Sequence, residues 1–385
     1  MPVNPATVDI VDSPQLLLEA VERIHASPWA AVDTEADSLH HYIEKLCLVQ
    51  ISVPDKDYIV DPLVSLDLEP LAWALHSKPV IFHGADFDIR MMRKVSLFAP
   101  KEIFDTMIAA QILGYPKQSL ADLVELHCGV VLSKSSQKAD WSRRPLTEKM
   151  LDYAAKDTHF LKTVSDAMRI ELETLGRLDW HRQSCERALK GALTTREEKT
   201  EEERSTAWQI KGSKAMRGKA LTILKELWHW REKEAQRRDR PPFKVLNSDT
   251  LLEIAQWAGS QPEAADVGLM PNAIRPLKQE YREGLNRLIK EADALPQAAF
   301  WQAPKQVNRQ KWGEPENKKL LLLKAEREKI GKELNIHPSL LATNAILEAM
   351  ILAKPQTRAA LLSMDPLLPW QVDLISDSFL KIVSN

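Results

Sequence analysis

Four acidic residues and one tyrosine have types and spacings that would suit them to hold metal ions. Asp33 and Glu35 are two apart at the end of an apolar run that begins at Trp29, a pattern typical of a buried strand. Residues two apart in a strand lie on the same face. The two carboxylates would therefore repel each other unless a cation or a proton lies between them. A bound metal ion would remove that repulsion.

The other three residues lie on predicted helices. Asp88 follows a second short apolar run, Val80 to Phe82, and is expected in the first turns of a helix. Tyr153 and Asp157 are four apart in a helical pattern that runs from Thr147, a suitable cap, to about residue 175. Residues four apart share one face of a helix, so a phenol is expected beside a carboxylate.

These residue types favour a particular kind of metal chemistry. Oxygen-only ligands suit Mg²⁺ or Mn²⁺ better than zinc, which prefers Cys or His. Two such ions about 3.5–4 Å apart can promote phosphodiester hydrolysis, and a nearby phenol can orient the attacking water. An isolated pair such as Asp33 and Glu35 is nevertheless common, and Tyr153 and Asp157 alone could form an ordinary exposed helix face.

The order of the surrounding motifs carries a family resemblance. Over about residues 28 to 165 the chain resembles the DEDDy 3′-to-5′ exonucleases, and within them the ribonuclease D family, in the segments VDTE, LCLVQIS, FHGADFDIRMM, IFDTMIAAQILGY and GVVLSKSSQKADWSRRPLTEKMLDYAAKDTHFL. The resemblance implies that Tyr153 positions the attacking water, and that the metal ligands are Asp33, Glu35, Asp88 and Asp157. A histidine in place of Tyr153 would have indicated the sister DEDDh group.

Three nearby residues could compete for a place in the site. The segment HGADFD contains both Asp86 and Asp88, and the family pattern assigns the ligand to Asp88. Asp105, in the FDT segment, is expected to support the site or to cap the helix that follows. His83 is expected to be a packed or hydrogen-bonded turn residue, because an oxygen-rich site does not need it as a ligand.

The length, charge and cysteine content of the chain limit the kinds of protein it can be. A chain of 385 residues with 44% hydrophobic content can form two or three domains with sizeable cores. The net charge of −2 gives no overall basic field, but residues 204–244 hold twelve Lys or Arg against four acids. Three cysteines without Cys-x-x-Cys spacing disfavour a disulfide framework or a zinc site. No signal peptide or membrane span is evident, so we expect a cytoplasmic protein that does not contact membranes. We also expect a monomer.

The patterns divide the chain into segments. Strand-like runs alternate with helical patterns in residues 1–175, which predicts an α/β domain. The closely spaced runs LCLVQIS and DYIVDP leave no room for crossover helices, so an antiparallel meander is expected. The family resemblance implies a ribonuclease H-like exonuclease domain with a mixed sheet, followed by all-α HRDC-type helical domains.

Helical patterns dominate the rest of the chain. Residues 176–204 are expected to be a helical linker. The segments WREKEAQRRDRP and VLNSDTLLEIA resemble an HRDC domain, assigned to residues 205–290, with Ser248 or Asp249 capping its second helix. Residues 291–385 are expected to form a second helical, HRDC-like domain, because ribonuclease D has one at this position.

Two groups of arginines are candidate nucleic-acid contacts. Such contacts to phosphate would be independent of base sequence and sensitive to salt. The alternative is a solvated helix face, since the basic helix also contains Glu232, Glu234 and Asp239. The candidates are Arg143 and Arg144 before the Tyr153 helix, and Arg231, Arg237, Arg238 and Arg240 in the basic helix.

Together these patterns and the resemblance predict a metal-dependent 3′-to-5′ exoribonuclease. It would hydrolyse single-stranded RNA 3′ ends, such as those of tRNA precursors, to 5′-mononucleotides with two divalent ions, Mg²⁺ or Mn²⁺. Asp33 would be shared by both ions. Two alternatives remain at this point: a DNA 3′-to-5′ exonuclease with the same ligands, and a non-catalytic RNA-binding scaffold.

Overall fold

The computed structural model describes residues 8–133, 135–194, 200–263, 265–271, 277–299 and 313–384. Contacts between residues group the chain into two units. The first unit comprises Met1–Ala36, Lys45–Thr195 and Gln310–Asn385, and the second comprises Asp37–Glu44 and Arg196–Arg309. No helix in these described ranges is long and apolar enough to cross a membrane. The cytoplasmic location stays a prediction.

A mixed sheet forms the centre of the first unit. Within the described ranges it has six strands in the order β1-β4-β3-β2-β5-β6. β2, β3 and β4 are antiparallel neighbours, as the predicted meander requires, and the remaining pairs are parallel. The strands are β1 (Val8–Val11), β2 (Ala30–Ala36), β3 (Leu46–Val53), β4 (Lys56–Val60), β5 (Pro79–Phe82) and β6 (Glu102–Asp105).

Sequence reasoning missed the two edge strands. β1 and β6 have four residues each, too few to show alternation, and unlike the equally short β5 neither is an apolar run free of acidic residues. In β1 the burial does not alternate either, because Asp9 and Ile10 are both exposed. The four inner strands were predicted to within about two residues of their ends.

Helices cover both faces of the sheet. Along β2, Ala30 and Val32 pack into one apolar cluster and Ala31 into another, so the strand is buried on both sides. The helices are α1 (Pro14–Ala26), α2 (Glu69–His76), α3 (Asp86–Arg93), α4 (Thr106–Leu113), α5 (Leu120–Cys128), α6 (Glu148–His159), α7 (Leu161–Thr174) and α8 (Leu178–Thr194).

The predicted continuous helix from Thr147 to about residue 175 is wrong in one respect. The structure divides it at Phe160, which ends α6 and begins α7. Phe160 packs with the α7 core, whereas the Thr158 hydroxyl lies 2.7 Å from the Ser52 hydroxyl on β3. Side chains on the two sides of the break are therefore held by different parts of the sheet.

The expected linker, residues 176–204, also needs correction. α8 packs into the first unit, with Cys185, Leu189 and Ala192 buried in the same core as α3. These residues are three or four apart, the spacing of a core-facing helix. Residues 195–199 lie outside the described part of the chain, and the exposed segment after them forms α9 (Glu201–Thr206).

The second unit is helical, as predicted. Leu221, Leu224 and Leu227 on the first long helix meet Ile254 on the next one in a buried core. Asn247 caps that next helix, accepting a hydrogen bond from the Thr250 amide at 2.8 Å, so the predicted caps were one or two residues late. After α9, the helices of the unit are α10 (Gly218–Arg237), the first long helix, α11 (Pro242–Val245), α12 (Ser248–Gly259), which Asn247 caps, and α13 (Gln279–Ala292).

The last part of the chain forms a helical bundle with its own core. It belongs to the first unit, because Trp180 stacks on Trp370 at 4.9 Å and the Arg177 guanidinium donates to the Leu334 carbonyl at 2.7 Å. Residues 300–312, which precede it, lie outside the described ranges. The helices are α14 (Glu314–Glu333), α15 (Asn344–Ala353), α16 (Arg358–Leu362) and α17 (Pro369–Ser384).

Candidate active site

Three of the predicted ligands converge between the sheet and one helix. α6, capped by Thr147, packs on β2 and β3. Asp33 and Glu35 on β2 and Asp157 on α6 each offer a carboxylate oxygen, and these oxygens lie within 4.8 Å of one another. The chain thus brings together acids more than a hundred residues apart in sequence.

Asp88 is not one of these three grouped acids, but unlike its neighbour Asp86 it is buried and held beside β2. Asp88 is 4% exposed and accepts a hydrogen bond at 2.6 Å from the hydroxyl of Thr34, the residue between the two β2 acids. The Asp86 side chain is 60% exposed and pairs with Arg90 at 2.8 Å. The structure therefore separates a buried acid held beside β2 from a solvated one.

Asp105 supports the site as expected. Its carboxylate caps α4 by accepting from the amides of Met107 and Ile108. It also accepts from the amides of Gly84 at 3.0 Å and Ala85 at 2.8 Å, in the turn before α3. One side chain thus fixes the start of the helix that carries Asp88.

The surroundings of the four acids disfavour their ionised forms. Burial raises the pKa of Asp33 to about 7. Burial, followed by repulsion from Asp33, Asp157 and Asp88, raises the pKa of Glu35 to about 10. The pKa values of Asp88 and Asp157 are also raised, first by burial and then by the charge of Asp33. An oxygen-only cluster that resists its own ionisation fits a divalent cation.

Tyr153 is positioned by packing beside the acids. Its ring centroid lies 5.9 Å from that of Trp141, which is 1% exposed. Burial, together with the charges of Asp157 and Glu35, raises the pKa of the phenol. Tyr153 therefore keeps its proton at neutral pH and can donate a hydrogen bond, but it cannot act as a base.

A cavity of about 310 Å³ opens beside these residues. Several polar residues that line the cavity, such as Ser119 and Ser133, were not predicted from the sequence. The start of α5 and the loop before α6 come together only in the folded chain. Gln137 had a signal, since it lies within the motif before α6. The cavity is lined by Asp33, Thr34, Glu35, His83, Ser119, Leu120, Ala121, Leu132, Ser133, Gln137, Tyr153 and Asp157.

Gln50 is a second residue that sequence reasoning missed. It lies opposite Asp33 in the β2–β3 ladder, so both side chains are on the same face. Its side chain is fully buried, and neither amide atom has a hydrogen-bond partner within the described ranges. A buried polar amide therefore lies next to the acid cluster.

Arg144, a predicted phosphate contact, is held within the fold by hydrogen bonds, and its contact with phosphate stays a prediction. Its guanidinium makes two hydrogen bonds to Asp61, at 2.5 and 2.7 Å, and others to the carbonyls of Cys47 and Trp141. It holds the loop before α6 against the sheet. The Arg143 side chain is 80% exposed and lies 3.1 Å from Asp140, so a contact with phosphate stays a prediction for that residue.

Arg231, another predicted phosphate contact, is also held within the fold, and its contact with phosphate stays a prediction. Its side chain is 8% exposed, pairs with Glu232 at 2.9 Å and donates to the Leu246 carbonyl within the helical core. Arg237 and Arg238 both pair with Glu234, and the hydrogen bonds they donate lower the pKa of Glu234 to about 2. Arg240 is exposed. Binding of phosphate by the three outer arginines stays a prediction.

Comparison with protein families first defines the class. A family described as a 3′-5′ exonuclease matches residues 8–173, and the HRDC domain matches residues 220–263 and 317–383. The first match spans the sheet and all the acids, and the HRDC matches fall on the two helical regions. Fold and site together therefore define a 3′-to-5′ exonuclease with HRDC regions.

Individual relatives narrow the class. A Ribonuclease D from Gluconacetobacter diazotrophicus is 31% identical over 352 residues, which cover 89% of this chain and 86% of the relative. The chain therefore belongs to the ribonuclease D family, which makes it a 3′-to-5′ exoribonuclease.

Two solved structures share the fold over nearly the whole chain. A protein from Bifidobacterium adolescentis aligns with a TM-score of 0.79 and 23% identity, covering 98% of this chain and 97% of that one. Escherichia coli RNase D, an exoribonuclease involved in structured RNA processing, aligns with a TM-score of 0.67 and 23% identity over 98% of both chains. At this identity, these two likenesses show the fold alone.

Proposed function

We propose that this protein removes nucleotides one at a time from RNA 3′ ends and releases them as 5′-mononucleotides. Two divalent ions, Mg²⁺ or Mn²⁺, would be held by Asp33, Glu35, Asp88 and Asp157. The observation that carries the proposal is the convergence of three carboxylates within 4.8 Å in a cavity that also contains Tyr153.

Each acid has a role that follows from its surroundings. Bound divalent ions would supply polarisation of the attacking water and of the leaving oxygen. Glu35 and Asp157 would share one ion with Asp33, because their oxygens are adjacent. Asp88 would hold the other ion with Asp33, whose charge acts on it, and the Thr34 hydroxyl keeps Asp88 in place.

Tyr153 would orient the attacking water. Its raised pKa keeps the phenol protonated, so the hydroxyl can donate one hydrogen bond and accept another. Trp141 restricts the ring by packing against it. Since the phenol stays protonated at neutral pH, no phenolate is available to remove a proton, and its proposed contribution is orientation of the water.

The proposed substrate is a single-stranded 3′ tail, such as that of a tRNA precursor. A cavity of about 310 Å³ is at the small end of the range for ligand pockets and suits one nucleotide rather than a duplex. The HRDC regions would hold the structured part of the RNA. The choice of tRNA precursors rests on the resemblance to ribonuclease D.

A comparison of matched substrates tests the proposal. RNA and DNA oligonucleotides of the same sequence, labelled at the 5′ end, would be incubated with the full chain and Mg²⁺, Mn²⁺ or a chelator. We expect stepwise shortening of the RNA with metal only, release of 5′-mononucleotides, and no shortening by Asp33→Asn. Intact RNA under every metal condition would refute the proposal, and equal or faster DNA cleavage would favour a DNA exonuclease.

A further inference from the structure

His83 lies in the wall of the cavity, at the end of β5, and has no role in the chemistry proposed above. Its ring nitrogen Nδ1 is 3.0 Å from the Thr106 hydroxyl oxygen. The same hydroxyl is 3.0 Å from the carbonyl oxygen of Phe82. These three groups form a short chain of hydrogen bonds that runs from the backbone of β5 to the ring.

The direction of each hydrogen bond follows from the groups that take part. A carbonyl oxygen only accepts, so the Thr106 hydroxyl must donate its single proton to Phe82. The hydroxyl then has only lone pairs to offer the ring, and both contacts are satisfied when Nδ1 of His83 carries a proton and donates it. The backbone thereby sets the tautomer.

The other nitrogen, Nε2, is consequently a hydrogen-bond acceptor. Burial lowers the pKa of His83, an effect that outweighs the nearby charge of Asp105, so the ring is neutral at physiological pH. A neutral imidazole with a proton on Nδ1 has a lone pair on Nε2. Within the described ranges Nε2 has no hydrogen-bond partner, and the ring borders the cavity.

An acceptor at this position needs a donor from the substrate. Phosphate oxygens are acceptors and would repel it. Base amino groups differ between nucleotides, whereas a site that receives every nucleotide in turn needs a donor that all of them share. At an RNA 3′ end the shared donors are the 2′- and 3′-hydroxyl groups of the terminal ribose.

We propose that Nε2 of His83 accepts a hydrogen bond from a hydroxyl of the 3′-terminal ribose and so makes the site specific for that end. The proposal deepens the proposed function and rests on it. In the proposed function the acids of the cluster hold cations, and no acid is assigned to the sugar. His83 would supply a hydrogen bond that depends on a hydroxyl group of the sugar.

The backbone around His83 is built to hold the ring in place. Gly84 has a φ of +86°, and a Cβ atom there would lie 2.9 Å from the Met107 side chain. The Gly84 amide donates to Asp105, which also caps α4. Residues on both sides of the ring are therefore fixed by hydrogen bonds that do not involve substrate, as a specificity contact requires.

Terminal-sugar analogues test the contact directly. RNA of one sequence would carry an ordinary, a 2′-deoxy or a 3′-deoxy nucleotide at its 3′ end, and kcat/KM would be measured for the wild type and His83→Phe. We expect one deoxy end to cost the wild type about 10- to 100-fold. His83→Phe should lose about as much on ordinary RNA and nothing further on that deoxy end.

Two other results would overturn the proposal. An equal loss by His83→Phe on all three substrates would make His83 structural, and a loss that changes with the terminal base would make the donor a base. Thr106→Val should weaken discrimination because it removes the group that sets the tautomer, and Thr106→Ser should restore it. A wild type that treats all three ends alike contradicts the proposal even if the variants fail to fold.

Binding of the product separates this proposal from the proposed function. Calorimetry would compare adenosine 5′-monophosphate with its 2′-deoxy and 3′-deoxy forms, without turnover. We expect the wild type to bind one deoxy form about 10-fold or more weakly, and His83→Phe to bind all three alike. Equal binding by the wild type overturns the role of His83, whereas a failure of RNA hydrolysis alone overturns the proposed function.

Discussion

The acid cluster and the basic end of α10 treat charge in opposite ways. Asp33, Glu35 and Asp157 lie together without a basic partner among the described residues. Burial raises the pKa of all three acids, and repulsion by neighbouring acids raises those of Glu35 and Asp157 further. At the end of α10, Arg237 and Arg238 share Glu234, whose pKa is lowered. In the acid cluster, like charges lie close together. At the end of α10, Arg237 and Arg238 are paired with a carboxylate.

This difference distinguishes charged groups that lack a partner of opposite charge from charged groups that are already paired within the fold. A cluster that destabilises its own ionised form would be stabilised by a bound cation, which is the behaviour expected of a metal site. Arginines that already have carboxylate partners, such as Arg237 and Arg238, would have to exchange or share those contacts to bind phosphate, and their phosphate binding stays a prediction. Charge counts in the sequence do not distinguish the two cases.

Loss of Asp33 should have the largest effect. Asp33→Asn removes the carboxylate that both proposed ions would share, and we expect kcat on single-stranded RNA to fall on the order of 10³-fold or more. The matched control is Asp86→Asn, which changes a side chain that is 60% exposed and paired with Arg90. Comparable losses in the two variants would refute the assignment of the ligands.

Loss of the phenol should have the second largest effect. Tyr153→Phe keeps the ring packed against Trp141 but removes the hydroxyl that would orient the attacking water, so we expect kcat to fall about 10²-fold with KM little changed. Single-turnover hydrolysis and the melting temperature would both be measured. A normal rate, or a rate loss explained by a lower melting temperature, would count against the role.

The repulsion within the cluster predicts how the stability of the metal-free protein depends on pH. Carboxyl groups of an unfolded chain titrate near pH 4, whereas the folded values are about 7 for Asp33 and about 10 for Glu35. The folded state therefore holds more protons above pH 4. The free energy of unfolding should therefore fall as the pH rises from about 4. The contribution of Asp33 to this fall ends near pH 7, and that of Glu35 continues to about pH 10.

Glu35→Gln tests this dependence. We expect the variant to flatten the fall and to raise the metal-free melting temperature at pH 8 by about 2–4 °C for each kcal/mol of repulsion removed. Mg²⁺ should stabilise the wild type more than the variant. If the wild type instead becomes more stable from pH 5 to pH 8 without metal, the repulsion is absent.

The basic helix should show the smallest effects on function. Arg231→Gln is expected to cost about 1–3 kcal/mol of stability, because it leaves the Leu246 carbonyl and Glu232 without their partner. Arg240→Gln should leave the melting temperature unchanged and weaken RNA binding less than tenfold, with a shallower salt dependence. Unchanged binding at low salt would make the Arg240 side chain an ordinary solvated one.

The sequence predicted the inner strands and the spacing of the acids because both depend on local periodicity. Asp33 and Glu35 on one face of a strand follow from alternation, and Tyr153 and Asp157 follow from the helical repeat. The break at Phe160 was not predicted, because local periodicity does not report the contacts that Thr158 and Phe160 make with residues far away in sequence.

Burial of polar residues also depends on distant contacts. Arg144 and Arg231 have the composition of exposed phosphate contacts, yet each is held by carboxylates and carbonyls that the fold brings to it. Gln50 and His83 lie beside the acids only because β3 and β5 flank β2 in the sheet. Pairing of strands, rather than local pattern, completes the site.

Titration of the metal-stripped full chain with Mn²⁺ tests the central claim most directly. Calorimetry would measure how many ions bind to the wild type and to Asp33→Asn at the same pH. If the acid cluster is the metal site, the wild type binds two ions and Asp33→Asn loses at least one of them. Identical stoichiometry and affinity in both proteins would contradict the account.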